Sequence, residues 1–293
     1  MNTPAAYRPE ENMKLLRHGT EGAERPGLID KEGQLRDLSG HIADIGGAHL
    51  APDEISRLAR LDIQTLPVLP ASTRIGPAIS RPVNFVCIGL NYADHAAETG
   101  SPLPTEPIIF LKSLSAYSGP YADIIIPRGA VKTDWEVELG VVIGTLCRYV
   151  SEADALSHVA GYTVVNDISE RDYQMKRGGT WDKGKGCDSF GPIGPYLVTK
   201  DEVADPQDLN LWCDVDGTRR QNGNTKTMIF GVRKLVSYVS EFITLHPGDI
   251  IATGTPPGVG LGHKPEPIFL SPGQLVEAGI EGLGAQRQRT RGS

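Results

Sequence analysis

The chain has 293 residues and a formal net charge of −7, with 39% hydrophobic and 22% charged residues. That balance excludes a disordered chain, and the length suits one large domain or a small domain joined to a larger one. There is no Lys/Arg block beyond the short C-terminal stretch RQRTRGS, which argues against a nucleic-acid partner, and no apolar run is long enough to span a bilayer.

Residues 1–12 carry little to bury and read as a disordered leader. They lack the order of a signal peptide, so the cytoplasm is the expected compartment. Residues 13–70 read as a small N-terminal β-rich domain. It starts with a strand at MKLL, has a polar turn at Asp30–Gly33 between two further strands, and continues with helical patterning near Pro52–Arg60. A Pro/Gly-punctuated linker, 71–82, leads into the larger domain, 83–293. Cys87, Cys147, Cys187 and Cys213 are far apart and form no C-x-x-C pair, so neither structural zinc nor a disulfide framework is expected.

In the larger domain VNFVCIG reads as a strand. NYADHAAE then opens a short helix capped by Asn91 or Asp94 and ended near Gly100, on which His95 and Glu98 share one face. Next come loops with brief strands, and then TDWEVELGVVIG at 133–144. In a strand, Glu136 and Glu138 point the same way, and the unalternating GVVIG that follows suggests burial on both faces. The E-V-E-L pattern is equally that of a half-exposed strand with its acids to water.

SEADALSHVAG reads as a helix capped by Ser151, and GYTVVNDISERDYQ places Asp167 at the end of an apolar strand. Residues 176–196 are Gly-rich and irregular, with Lys183 and Lys185 inside them. Such a loop can wrap an anion through its backbone, but it lacks the order of a nucleotide-binding loop. A hairpin turning at Asp216–Gly217, a helix ending before Pro247, the strand-to-loop segment IIATGTPPGVG and a closing hairpin complete the chain. Many short strands, 34 glycines and 22 prolines favour an α+β, mainly β architecture over a doubly wound one.

Glu136, Glu138 and Asp167 supply three hard oxygen ligands from two strand ends. Carboxylates converging with no lysine or arginine between them resist ionisation unless a divalent cation sits there, and Mg²⁺ or Mn²⁺ suits such a set better than zinc.

GLNYADHAAE, TDWEVELGVVIG, NDISERDYQ, KGKGCDSFGPIGP and ATGTPPGVG together resemble the fumarylacetoacetate hydrolase family, in the same order, over roughly residues 80–284. The segment from MKLLRHG to about residue 70 resembles the small domain that precedes the core in bacterial members. Within the family the chain is most similar to hydrolases of 2,4-diketo-3-deoxy sugar acids such as L-rhamnonate or L-fuconate derivatives.

The resemblance implies a rolled mixed β-sheet and a homodimer. It also implies Glu136, Glu138 and Asp167 as Mg²⁺ (or Mn²⁺) ligands, His95 and Glu98 as an acid/base dyad, and Lys185 facing a substrate oxygen. Arg171, Gln174 and Thr253 or Thr255 fall at substrate-contacting positions. The implied reaction is hydrolysis of a C–C bond in a 2,4-dioxo acid, giving pyruvate and a hydroxy acid. Two alternatives use the same residues: decarboxylation of an oxaloacetate-like or oxo-dioate substrate, and a non-catalytic binding protein stabilised by the metal.

Overall fold

The structure is a computed structural model that describes residues 13–100 and 102–293; the expected leader, 1–12, lies outside the described residues. In chain order the strands begin with β1 (Lys14–His18), β2 (Arg25–Ile29), β3 (Leu35–Asp37), β4 (Phe85–Gly89), β5 (Ile108–Leu111), β6 (Tyr117–Ser118), β7 (Ile124–Ile126), β8 (Thr133–Asp134) and β9 (Val137–Ile143). They continue with β10 (Val159–Asn166), β11 (Ser169–Glu170), β12 (Gly191–Pro192), β13 (Leu197–Thr199), β14 (Asn210–Val215), β15 (Thr218–Asn224), β16 (Ile250–Ala252), β17 (Leu275–Ile280) and β18 (Gly284–Gly292). The α-helices are α1 (Pro52–Leu58), α2 (Ala93–Thr99), α3 (Arg171–Lys176), α4 (Asp182–Lys185) and α5 (Val232–Phe242). The fold is thus α+β and mainly β, and among the described residues no helix is long and apolar enough to cross a membrane.

Nine strands form one mixed sheet in the order β3-β2-β1-β13-β10-β9-β16-β4-β5, and five form a second, β15-β14-β17-β18-β7. Every residue of β9 is buried, as its unalternating sequence predicts. The apolar faces of β9 and β10 pack with Leu211, Cys213, Val276 and Ala278 of the second sheet in one core cluster. The N-terminal strands are hydrogen-bonded into the large sheet through β1 and β13. Leu15 and Leu28 share a second cluster with Phe85, Val142 and Ile250, so residues 13–70 and 83–293 contribute to one sheet and one core.

The antiparallel register of β9 with β10 positions the acids. Val165 lies opposite Glu138 and Asn166 opposite Val137. The next residue, Asp167, donates its N–H to the Glu136 carbonyl at 2.8 Å. Close strand approach depends on glycine here, because a Cβ at Gly140 would lie 2.7 Å from Val165 Cγ2 and one at Gly161 2.1 Å from the Val198 carbonyl oxygen.

Three local expectations are corrected. The helix expected after Ser151 is a single 3₁₀ turn, Ala155–His158, running straight into β10. Ser151 Oγ instead closes a turn with Asp154, and the β-branched and aromatic residues from Val159 onward belong to a buried strand. Neither Asn91 nor Asp94 caps α2, whose first turn follows Tyr92 with no side-chain cap. Asn91 is spent on Phe230 and the Thr253 carbonyl. The loop holding Lys183 and Lys185 is partly helical, as α4, which buries Lys185. The hairpin at Asp216–Gly217 has both residues at positive φ, 49° and 72°, as a two-residue turn matching strand twist requires.

Candidate active site

Glu136, Glu138 and Asp167 come together at the ends of β9 and β10, all buried, with one oxygen of each within 4.8 Å of the others. They line or adjoin a cavity of about 450 Å³. At its buried end are Glu136, Glu138, Arg171, Lys185 and Thr255, whereas Met175 and Lys264 in its lining are exposed.

The premise that no cation stands among these acids is corrected. Lys185 Nζ lies 2.6 Å from Glu136 and 2.8 Å from Asp167. Lys112 Nζ binds the other Asp167 oxygen and the Ile168 carbonyl. Arg171 reaches Glu136 Oε1 at 2.7 Å and Asp134 Oδ2 at 2.8 Å. Burial pushes the Glu136 carboxyl up, but Lys185 and Arg171 outweigh it and hold it at about 2. Burial works against charge on Lys185 too, yet Asp167 and Glu136 raise it. Lys112 is a site residue the sequence reading missed. Removing one partner of a buried ion pair costs about 3–5 kcal/mol, so Lys112→Ala is expected to destabilise the protein by that amount in urea unfolding.

Glu138 differs from its neighbours. Its hydrogen-bond donor is the Gly254 N–H, at 2.9 Å to Oε2. Burial pushes this carboxyl well up, and Asp167 and Glu136 push it further. A buried carboxylate beside two others, with no cationic side chain bonded to it among the described residues, is the observation that fits a divalent cation. Three carboxylate oxygens are a hard donor set of the kind Mg²⁺ and Mn²⁺ take. Each oxygen has two lone pairs, so those facing Lys185 and Lys112 retain capacity for a ligand bond.

His95 and Glu98 lie on one face of α2, as spaced, with Nδ1 and Oε2 3.1 Å apart. The Gly258 N–H donates to both Glu98 oxygens at 3.0 and 3.2 Å. The same turn donates the Gly260 and Leu261 N–H groups to Asp134 at 2.6 and 2.9 Å, and Trp135 Nε1 donates to the Gly258 carbonyl at 3.1 Å. Residues 258–261 therefore tie the His95–Glu98 pair to the Asp134–Arg171–Glu136 chain of contacts. A Cβ at Gly262 would sit 2.6 Å from Glu98 Cδ. Misplacing a catalytic group by an ångström costs on the order of 10²-fold, so Gly262→Ala is expected to lower kcat about ten- to hundredfold while metal affinity, measured by titration, is kept.

The remaining expected residues separate. Arg171 and Gln174 both line the cavity. Gln174 Oε1 accepts from Arg171 Nη1 at 3.1 Å. Thr255 lines the cavity while donating to the Val137 carbonyl. Thr253 does not line it, and its hydroxyl is spent on the Leu139 carbonyl. Trp181 completes one wall, edge-on to Phe110 with ring centroids 5.3 Å apart. It fits because Gly89 has no Cβ, which would lie 2.4 Å from the indole.

Residues 84–291 match the family model for the C-terminal domain of fumarylacetoacetate (FAA) hydrolase. A Burkholderia ambifaria protein, whose name of hydrolase is itself an inference, is 60% identical over 279 residues, covering 95% of this chain and 99% of that one. A fumarylacetoacetate hydrolase from Exiguobacterium antarcticum superposes with a TM-score of 0.84 at 34% identity, covering 96% of this chain and 100% of its own. Maleylpyruvate hydrolase from Sphingobium sp. SYK-6, solved with manganese(II) and pyruvate, superposes with a TM-score of 0.79 at 27% identity, covering 96% and 100%.

Proposed function

The chain belongs to the fumarylacetoacetate hydrolase family, and on that premise we propose that it hydrolyses a C–C bond of a 2,4-dioxo acid of the acylpyruvate type, with a divalent cation held by Glu136, Glu138 and Asp167. The reading is carried by one observation: Glu136 and Glu138, which cluster with Asp167, line the same cavity as the His95–Glu98 pair. A structural cation needs no base beside it. The manganese and pyruvate in the Sphingobium structure support the same reading.

When bound, Mg²⁺ or Mn²⁺ supplies Lewis acidity toward the 2-oxo acid end of the substrate. The chain's own residues do the rest. Arg171, Lys185 and the Gln174 amide line the buried end, where they orient a carboxylate and its neighbouring oxygen. Two of the three Lys185 donors are engaged by Glu136 and Asp167; the third can meet substrate. His95 donates Nδ1–H to Glu98, so Nε2 carries the lone pair that accepts a proton from the attacking water. Water oxygen bonds to C4, the C3–C4 bond breaks, and its electron pair passes to C3. Protonation of C3 yields pyruvate, and the acyl fragment leaves as a carboxylic acid.

The test is product stoichiometry with Mg²⁺ and a panel of 2,4-dioxo acids. Pyruvate and acyl acid in a one-to-one ratio without CO₂ is the expected result. Release of CO₂ with no acyl acid would identify a decarboxylase instead.

A further inference from the structure

Asp134 lies behind the cavity wall and is fully buried, at 0% exposure. Its carboxylate accepts four hydrogen bonds. Oδ1 takes the Trp135 N–H at 2.8 Å and the Gly260 N–H at 2.6 Å, and Oδ2 takes the Leu261 N–H at 2.9 Å and Arg171 Nε at 2.8 Å. An ionised carboxylate has about four lone-pair sites, and two donors on each oxygen fill them.

The chain converges here for local reasons. β8 pairs with β11 so that Asp134 lies opposite Ser169, two residues before Arg171. The 258–262 turn is brought to the same place because the Leu270 N–H donates to the Thr133 carbonyl at 2.7 Å and the Ile268 N–H to the Gly260 carbonyl at 3.0 Å. The approach is close enough to need glycine. A Cβ at Gly260 would lie 2.0 Å from the Ile268 carbonyl oxygen and 2.8 Å from Asp134 Oδ1.

Two arms leave this carboxylate. One is Arg171, which lines the cavity; Asp134 at Nε and Glu136 at Nη2 fix the plane of its guanidinium. The other is the turn. Two of its N–H groups sit on Asp134, while its Gly258 N–H holds both oxygens of Glu98, which is bonded in turn to His95. The cation that orients substrate and the base therefore share one buried anchor.

We propose that Asp134 is a positioning residue for the reaction, setting the place of the His95–Glu98 pair relative to Arg171. It acts only through its two arms. The inference rests on the hydrolase reading above.

Asp134→Asn keeps the size of the side chain and loses one acceptor. Whichever way the amide turns, its NH₂ faces two donors, either Leu261 and Arg171 or Trp135 and Gly260, so the turn loses one anchor. For the Mg²⁺-loaded full chain, kcat is expected to fall about ten- to hundredfold, the scale of an ångström's misplacement. In a His95→Ala background the same substitution is expected to cost about twofold or less, because nothing is left to position. One readout needs no turnover: in the metal-free protein the ¹⁵N signal of the His95 ring, identified by its loss in His95→Ala, is expected to move in Asp134→Asn.

Leu261→Pro decides the matter if the buried amide prevents folding. It removes one N–H from the turn, leaves the Asp134–Arg171 pair whole, and suits the φ of a 3₁₀ turn. Compared with Leu261→Ala, which keeps the N–H, it is expected to lower kcat at an unchanged KM. Wild-type kcat in a folded Asp134→Asn, an equal loss with and without His95, an unmoved His95 signal, or equal kcat in the two Leu261 variants overturns the inference alone. Pyruvate from none of the 2,4-dioxo acids with the wild type overturns the hydrolase reading, and the inference with it.

Discussion

Replacing His95 by alanine is expected to lower kcat by about 10²–10⁴-fold, the range general-base catalysis supplies, while divalent-cation binding is retained. The geometry separates the two effects. His95 reaches the site from α2, its side chain bonded to Glu98, whereas the acid trio hangs from β9 and the end of β10. Loss of the imidazole leaves the contacts of Lys185, Lys112 and Arg171 with the acids intact. Glu98→Gln should fall between wild type and His95→Ala, because its amide can still meet the Gly258 N–H but no longer stabilises an imidazolium. Single-turnover rates together with Mn²⁺ titration check both points. A His95→Ala enzyme at wild-type kcat would remove the base from the account.

Chelation is expected to abolish activity, and added Mg²⁺ or Mn²⁺ to restore it, with Glu138→Gln unresponsive to either. Glu138 is the acid that the lysines and Arg171 leave without an ion pair, and it sits beside two other carboxylates. In the metal-free protein the neutral amide removes that repulsion, so Glu138→Gln is expected to melt at or above the wild-type temperature. Saturating metal tells the opposite story. A ligand at a hundred times its Kd stabilises by about 2.7 kcal/mol, and the variant should forfeit that gain. A plain structural defect would instead lower melting in both conditions. Paired melting curves with and without Mn²⁺ distinguish the two.

The parts of this site legible in the sequence are those set by local periodicity. The two-residue spacing of Glu136 and Glu138, the unalternating run behind them and the i, i+3 pair His95–Glu98 follow from strand and helix geometry, and each is where that geometry puts it. Lys112 was not legible. It follows the apolar run IIFL and looks like a strand-end lysine, and its partner Asp167 is 55 residues away in the chain. The one available signal was the cost of burying three acids together, which demands cations from somewhere. Asp134 was missed for a like reason, since its partners Gly260 and Leu261 lie more than a hundred residues on. Sequence alone leaves the choice between Thr253 and Thr255 open. Two residues apart in a strand, they would share a face, but Gly254 at φ +94° breaks the extended chain between them, and only Thr255 lines the cavity.

The central claim is that Glu136, Glu138 and Asp167 form one divalent-cation centre. Mn²⁺ titration followed by electron paramagnetic resonance tests it most directly, with wild type compared against Glu138→Gln and Asp167→Asn. The account predicts one saturable site per chain in the wild type and at least a tenfold weaker one in each variant. Equal Mn²⁺ affinity in all three proteins, or no site in the wild type, would contradict it.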